Sequence, residues 1–307
     1  MKGLTIEPAR KSAQPLRTID LCSGAGGWAC AARGLPIEIV LAVDLWPVAC
    51  RTYALNHPQT EVLCGDLRQE ATRKRILQVA AGGVDLILGG IPCQWLSVYR
   101  NLGRNKVKVG ELQTERLTLD TVLEMVRCID PPWWCLEDVT QLARELPILT
   151  PFCRIDAKGY SAQRRKRLYV GNFPVPAPGR NGELLKDRLR PGPWRIGPRA
   201  ADRQPVRSKT FSPDKSLAAL LGAKSPTICN LSSRRDAEMV IVDPGLPGGK
   251  RQMEWQEAAV LQGFPRDYLF YGSPSDVSLQ IANAMQIDLG RTILKGICRQ
   301  ARRRGRL

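Results

Sequence analysis

The sequence contains a single histidine, His57, which lies between Asn56 and Pro58 in a helix-ending context. Metal sites built from several histidines and Ser-His-Asp catalysis are therefore nearly excluded. None of the ten cysteines forms a CxxC pair, and no apolar run approaches the length of a membrane span or a signal peptide. We expect reduced thiols in a cytosolic protein without a metal site or a membrane partner.

Acidic residues are scarce beside basic ones: 29 Asp and Glu face 46 Lys and Arg, which gives a net charge of +17. Much of the excess lies in Arg180–Lys209 and Arg299–Arg306. This charge predicts a polyanionic partner, and dense arginine favours nucleic acid because a guanidinium matches a phosphate bidentately. A membrane surface is disfavoured, since no basic segment shows an amphipathic apolar face. With 43% hydrophobic residues over 307 positions, the chain can bury a real core.

The first recognisable unit is a strand, a glycine-rich turn and a helix. Thr18–Cys22 is apolar enough for a strand, Ser23-Gly24-Ala25-Gly26-Gly27 turns sharply, and Trp28–Arg33 begins a helix. Small residues let the backbone approach a ligand, and such a unit is typical of nucleotide-type binding. The spacing is not GxGxxG, so a dinucleotide is disfavoured.

Further candidate residues follow the strands predicted at Ile37–Val43, Glu61–Cys64, Val84–Leu88 and Trp133–Leu136. These residues are Asp44, Gly65-Asp66, Cys93 and Glu137-Asp138. In an open α/β sheet, ligands bind at the edge formed by the carboxyl ends of the strands. Plainer roles stay open: Asp44 and Asp138 could cap the helices Trp46–Leu55 and Thr140–Glu145, and a cysteine such as Cys93 is most often an inert core residue.

The rest of the chain divides into segments that differ in composition and in hydrophobic periodicity. Helical spacing covers Leu67–Ala80 and Thr114–Ile129, and a basic run, Gln163–Arg167, leads into the strand Leu168–Val170. From Phe173 to about Lys224, proline, glycine and arginine dominate and periodicity fades. Further helices are predicted at Glu254–Leu261 and Leu279–Leu294.

In this order, the motifs resemble those of the C5-cytosine DNA methyltransferase family over nearly the whole chain. The quoted motifs are Asp20–Gly27, Asp44, Gly65-Asp66, Pro92-Cys93-Gln94, Glu137-Asp138-Val139, Gln163–Arg167, Leu261–Pro265 and Gln280–Ala284. Pro-Cys-Gln alone is a weak signal, but this many motifs in the family's order is very specific. The chain departs from the family pattern at three positions: Cys22 stands for phenylalanine, Asp138 for asparagine and Ala282 for glycine.

The resemblance implies an α/β fold, a Rossmann-like doubly wound, mostly parallel sheet of the class I methyltransferase type, with a small irregular target-recognition domain. Residues 1–172 with about 276–301 would form the catalytic S-adenosylmethionine-binding domain, about 173–275 the recognition domain, and 302–307 a basic tail. The implied cofactor is S-adenosyl-L-methionine, with S-adenosyl-L-homocysteine as product and no metal.

The family's residue roles can be carried over to matching positions. The implied catalytic residues are Cys93, Glu137, Arg165 and Arg167. The implied cofactor-binding residues are Asp20, Cys22, Ser23, Gly24, Gly26, Gly27, Asp44, Leu45, Asp66 and Asn283. The implied DNA-binding residues are Gln94, Ser97, Arg100, Arg104, Lys106, Gln163 and Thr227, several of them in a loop, Trp95–Gly110, that would act as a lid.

The expected partner is double-stranded DNA, and the protein is expected to bind it as a monomer. We expect a cytoplasmic protein that is bacterial or encoded by a phage. Two other readings stay open, and a third is disfavoured. The chain could be an inactive DNA-bound accessory protein, to which the departures at Cys22 and Asp138 point, or it could act on transfer RNA. A free-nucleotide substrate conflicts with the arginine clusters.

Overall fold

Short apolar strands alternate with helices through the first half of the chain, and this alternation builds a layered α/β structure. The computed structural model describes residues 14–91, 109–179, 188, 195–197, 240–242 and 250–307. The strands of the main sheet are β1 (Leu16–Leu21), β2 (Ile37–Asp44), β3 (Glu61–Cys64), β4 (Leu86–Gly90), β5 (Trp133–Asp138), β6 (Phe152–Asp156) and β7 (Lys166–Gly171). The helices are α1 (Gly27–Ala32), α2 (Pro47–Asn56), α3 (Glu70–Ala80), α4 (Val109–Ile129), α5 (Trp255–Gln262), α6 (Pro274–Asn283) and α7 (Ile287–Arg303).

The main sheet has seven strands in the order β3-β2-β1-β4-β5-β7-β6. The first five strands in that order run parallel, and β7 pairs antiparallel with both β5 and β6. Buried apolar side chains cover both faces: Trp28 and Leu294 belong to one cluster, and Ile76 and Leu123 belong to the other. The expected doubly wound, mostly parallel α/β fold is confirmed.

The strand order reverses between β1 and β4, which lie side by side although two strands separate them in the chain. Leu21 is paired with Gly89 at this point. A Cβ atom at Gly89 would lie 2.7 Å from the Leu21 carbonyl oxygen, so only glycine lets the two strands approach this closely. A reversal of this kind opens a crevice at the carboxyl ends of the strands, where open α/β sheets bind ligands.

Several local predictions need correction. The single helix predicted over Leu279–Leu294 is wrong: α6 ends at Asn283 and α7 begins at Ile287, with Ala284 in an extended conformation between them. The helix predicted over Thr140–Glu145 is a single 3₁₀ turn, Thr140–Arg144. Strand β6 was not predicted, because it is a half-exposed edge strand without a continuous apolar run.

Helix α7 also overturns the premise that no basic segment is amphipathic. Its buried face carries Ile293, Leu294, Ile297 and Cys298, while Lys295, Arg299, Arg302 and Arg303 are exposed. The apolar face packs into the core that includes Trp28, so it is not available to a membrane. No helix within the described ranges is long and apolar enough to span a bilayer.

A second, small sheet contains three antiparallel strands in the order β10-β9-β8, at Lys250–Gln252, Val240–Val242 and Arg195–Gly197. It lies within the range assigned to target recognition. The division into two domains stays a prediction. Leu261 and Phe264, near the end of that range, share the main core with Trp28.

Candidate active site

The candidate residues collect along one edge of the sheet because the five parallel strands all end there. Strand pairing places Leu21 beside Val43 and Gly89, Asp44 beside Cys64, and Gly90 beside Glu137. The edge therefore presents, in spatial order, Asp66, Asp44, the glycine turn, the end of β4 and Glu137. The register bears out the predicted shared edge for Asp44 and Glu137; Asp66 follows β3 by two residues, and Cys93 lies outside the described residues.

Three residues in and beside the glycine turn have a left-handed backbone conformation. Cys22, Gly24 and Gly26 have φ values of 51°, 53° and 87°. The Ser23 amide donates to the Val43 carbonyl at 3.0 Å, and the Gly26 amide donates to the Ser23 carbonyl at 3.0 Å. A Cβ atom at Gly24 would meet no heavy atom within 4 Å, so the turn faces open space on that side.

Asp44 ties the turn to the second strand. One carboxylate oxygen accepts from the Gly24 amide at 2.7 Å, and the other accepts from the Trp46 amide at 2.8 Å. Trp46 is the N-cap residue of α2, and no side chain caps that helix, so Asp44 supports the approach to α2 rather than capping it. Burial raises the pKa of Asp44, while these backbone hydrogen bonds lower it.

Two further groups extend the edge on this side. Leu45 follows Asp44 and is 61% exposed, which is unusual for a leucine beside a buried strand end. Asp66 is bound by Arg68 through a salt bridge, and that hydrogen bonding lowers the pKa of the Asp66 carboxyl. An apolar surface flanked by a carboxylate thus borders the glycine turn.

Asp20 is fully buried beneath the turn. Neither of its carboxyl oxygens has a hydrogen-bond partner of normal geometry among the described residues. Burial first, and then the charge of Asp44, raises the pKa of Asp20 to about 8, while the nearby Tyr53 hydroxyl acts in the opposite sense. The carboxyl group is therefore held mostly protonated at neutral pH.

Cys22 and Asp138, two of the residues that depart from the family pattern, interact electrostatically. Burial and the charges of Asp44, Asp20, Asp138 and Asp66, in that order of size, raise the pKa of the Cys22 thiol. Asp138 is buried, and one of its oxygens accepts from the Val139 amide at 2.5 Å. Asp138 therefore supports the backbone at Val139, the N-cap residue of the following 3₁₀ turn.

Glu137 is a buried carboxylate at this edge, with 5% exposure. Its Oε1 lies 3.2 Å from Nε of Arg167 and 3.9 Å from Nε of Arg165. Arg165 immediately precedes β7 and Arg167 is the second residue of that strand, whose antiparallel pairing with β5 brings Leu168 opposite Asp138. The predicted grouping of Glu137, Arg165 and Arg167 is present in the structure.

Arg165 also organises the break between α6 and α7. It donates to the Ala282 carbonyl at 3.1 Å and to the Ala284 carbonyl at 3.0 Å. Gln262 donates to the same Ala284 carbonyl and accepts from Gln163 at 3.1 Å. Carbonyl groups that a continuous helix would use internally are thus satisfied by side chains, which explains why the chain turns here.

Gln163 is fully buried in this network, whereas Asn283, at the end of α6, is exposed beside it. The remaining site predictions lie outside the described residues: Cys93, Gln94, Ser97, Arg100, Arg104, Lys106 and Thr227. The last described residue before Cys93 is Ile91, whose amide donates to the Glu137 carbonyl at 3.1 Å.

The sequence did not indicate the residues behind the glycine turn. The Tyr268 hydroxyl donates to the Ala25 carbonyl, His57 Nε2 lies 3.3 Å from that hydroxyl, and the Trp28 indole donates to the Gly89 carbonyl at 3.1 Å. His57 was assigned only to the end of a helix, a position that it does occupy. Within the described ranges, no group of three or more His, Cys, Asp or Glu side chains could hold a metal ion.

Comparison with known proteins places this geometry in a family. Residues 16–146 and 194–299 match the family described as C-5 cytosine-specific DNA methylase. The Type II methyltransferase M.HgiDI of Herpetosiphon aurantiacus is 28% identical over 297 residues, covering 89% of this chain and 91% of the relative. The Type II methyltransferase M.NgoMIV of Neisseria gonorrhoeae is 26% identical over 322 residues, covering 91% and 97%.

Solved structures agree in fold. The S. pombe Dnmt2 methyltransferase aligns with a TM-score of 0.63 at 16% identity, covering 94% of this chain and 99% of that one. A variant of Spodoptera frugiperda DNMT2 aligns with a TM-score of 0.60 at 17% identity, covering 91% and 98%. With the family match extending over most of its length, the chain belongs to the C-5 cytosine-specific DNA methylases.

Proposed function

We propose that this protein transfers a methyl group from S-adenosylmethionine to C5 of cytosine in double-stranded DNA, through a covalent bond between Cys93 and C6 of the base. The observation that carries the proposal is the enclosed group of Glu137, Arg165 and Arg167 at the edge where β4 ends. Ile91 is hydrogen-bonded to the backbone of Glu137, and two residues of chain span at most about 7 Å. This supports Cys93 as a neighbour of the carboxylate.

The residues of the glycine turn fit the proposed cofactor. The Ser23 hydroxyl is buried and has no hydrogen-bond partner among the described residues, and the space next to Gly24 is open. Asp44 keeps lone pairs for ribose hydroxyls, exposed Leu45 offers an apolar surface for an adenine ring, and Asp66 offers an acceptor for its amino group. S-adenosylmethionine, when bound, supplies an electrophilic methyl group on a sulfonium centre.

The remaining chemistry belongs to the side chains. The Cys93 thiolate would add to C6, which makes C5 electron-rich enough to take up the methyl group. Glu137 would hold N3 and the exocyclic amine of the base, and the paired arginines would stabilise the charge that develops on it. Loss of the C5 proton to a base and elimination of the Cys93 thiolate would then restore the aromatic ring.

A cytosine in a duplex is out of reach of such a site, so the proposal includes extrusion of the base, at a cost of a few kcal/mol. The segment that begins at Trp95 is proposed as the lid; the loop predicted for it extended to Gly110, but Val109 and Gly110 belong to α4. Lys295, Arg299, Arg302 and Arg303 form no ion pair within the described residues, and positions 289–307 contain no acidic residue. These exposed cations support a polyanionic partner.

The Type II methyltransferase relatives favour a role in restriction-modification. We accordingly propose that the protein works on DNA in the cytoplasm of a bacterium or a phage-infected cell, as a monomer. Which sequence it methylates would depend on the region about 173–275.

Methyl transfer to duplex DNA tests the proposal directly. Purified protein would be incubated with S-adenosylmethionine labelled on the methyl group and with unmethylated duplex DNA, and label retained on the DNA would be counted. We expect label on cytosine C5 with the unchanged protein and with Cys128→Ala, which removes an exposed thiol on α4. Cys93→Ala should retain DNA binding and lose transfer. Normal turnover by Cys93→Ala would contradict the covalent mechanism.

A further inference from the structure

The glycine turn is supported from behind by a residue from the far end of the chain. The Tyr268 hydroxyl donates to the Ala25 carbonyl at 2.5 Å, across a separation of 243 residues. Tyr268 is 5% exposed, so water does not compete freely for this bond. The bond fixes the middle of the turn, between Gly24, which is tied to Asp44, and Gly26, which precedes α1.

His57 completes the support. Its Nε2 lies 3.3 Å from the Tyr268 oxygen. A phenol has one proton, and Tyr268 donates it to Ala25, so the histidine must donate its own Nε2 proton to the phenol oxygen. Burial, and then the charge of Arg33, lowers the pKa of His57 to about 4, so the imidazole is neutral at pH 7 with its proton on Nε2.

The groups around this histidine are few. The Tyr53 ring lies with its centre 5.0 Å from that of His57, the Tyr268 ring lies 6.0 Å away, and the Arg33 guanidinium stands 5.6 Å from the centre of the Tyr268 ring. These described neighbours include no carboxylate that would favour a charged imidazole.

The segment that carries Tyr268 is anchored on both sides. Asn56 donates to the Leu269 carbonyl at 2.7 Å and accepts from the Leu269 amide at 3.0 Å, and Thr52 accepts from the Tyr271 amide at 2.9 Å. The Tyr268 ring packs against Phe264 and Phe270, with ring centres 4.8 and 5.2 Å away. A tyrosine held this firmly has little freedom to follow a moving turn.

The contact is also tight enough to constrain Gly26. A Cβ atom at Gly26 would lie 2.7 Å from the Tyr268 oxygen, 3.2 Å from His57 Nε2 and 3.2 Å from the Tyr53 ring. The hydroxyl, the imidazole and the turn thus form one packed unit, in which the position of the turn is set by the two side chains behind it.

We propose that Tyr268, supported by His57, is a positioning residue for the cofactor: it holds the Ala25 carbonyl and so presets the glycine turn for S-adenosylmethionine. The inference rests on the function proposed above. Among the described residues, the hydrogen bonds and ring contacts of Tyr268 and His57 do not include Glu137, so we expect substitution of Tyr268 to change cofactor affinity and not the methyl-transfer step. A turn that is preset loses less conformational entropy when the cofactor binds.

Calorimetric titration of S-adenosylmethionine into Tyr268→Phe tests the proposal. Removing one buried hydrogen bond should raise the dissociation constant about 3- to 10-fold. The matched control is Tyr160→Phe, which removes a hydroxyl that donates to the Ala177 carbonyl at 2.6 Å, away from the turn. Its affinity should equal that of the unchanged protein. Steady-state kinetics should show a raised KM for the cofactor in Tyr268→Phe, with kcat and the KM for DNA preserved.

The histidine supplies a second measurement. His57→Ala should weaken cofactor binding less than Tyr268→Phe, and the double variant should bind no more weakly than Tyr268→Phe alone, because the histidine acts through the hydroxyl. Additive losses, or unchanged affinity in Tyr268→Phe, would overturn the positioning role while methyl transfer by the unchanged protein continued. If the unchanged protein failed to bind S-adenosylmethionine, the proposed function would fail, and the positioning role would fail with it.

Discussion

Replacement of Asp20 by asparagine is expected to change how the stability of the protein depends on pH. The folded protein holds the pKa of Asp20 at about 8, whereas an exposed aspartate has a pKa of 3.8. Between these two pKa values the unfolded chain releases the proton and the folded protein keeps it. The free energy of unfolding is therefore highest at low pH and falls as the pH rises from 3.8 to about 8. Each pKa unit corresponds to about 1.4 kcal/mol, so between pH 5 and pH 7 the carboxyl costs about 3 kcal/mol.

Asp20→Asn has the same shape and cannot ionise, so it removes this dependence. Urea unfolding at several pH values should show the variant gaining about 3 kcal/mol over the unchanged protein between pH 5 and pH 7. Asp276→Asn is the control, because hydrogen bonds from Ser273 lower the pKa of that exposed carboxyl and its loss should give a constant offset over this range. Parallel stability curves for Asp20→Asn and the unchanged protein would refute a buried, protonated Asp20.

Three further expectations follow from the site. In urea titrations, Gly26→Ala should lower the free energy of unfolding by more than Gly24→Ala. Each substitution places an alanine in a left-handed conformation, which costs about 1–2 kcal/mol, but only a Cβ atom at Gly26 would also clash with Tyr268. Equal losses would contradict the close packing of Tyr268 against the glycine turn. Asp138→Asn should lower the pKa of the Cys22 thiol by removing a nearby negative charge, so that alkylation followed by mass spectrometry becomes faster at a given pH; an unchanged rate would contradict their coupling. DNA affinity, measured by fluorescence anisotropy, should fall about 10³-fold between 50 and 200 mM salt if some six phosphates are neutralised, and a flat response would exclude the basic surfaces from binding.

Much of the edge could be predicted because parallel strands end together. Asp44, Asp66 and Glu137 each follow an apolar run, and a doubly wound sheet brings such positions to one side. The pairing of Glu137 with Arg167 was accessible only through the family resemblance, because no local pattern indicates that β7 runs antiparallel beside β5.

The remaining features depend on contacts between distant parts of the chain. The break at Ala284 is stabilised by Arg165 and Gln262, and nothing in the apolar spacing around it differs from a continuous helix. The contact of Tyr268 with Ala25 joins residues 243 positions apart. A single sequence shows local periodicity and turn chemistry, but it does not show which distant side chain satisfies a given carbonyl group.

Bisulfite sequencing of DNA from cells that express the protein is the most direct test of the central claim, because it reports the modified base and its sequence context together. Cells expressing the unchanged protein should show cytosines resistant to conversion within a recurring sequence, and cells expressing Cys93→Ala at the same level should show none beyond background. Full conversion in both, with the unchanged protein folded and able to bind DNA, would contradict the assignment of cytosine C5 methylation to the edge that carries Glu137, Arg165 and Arg167.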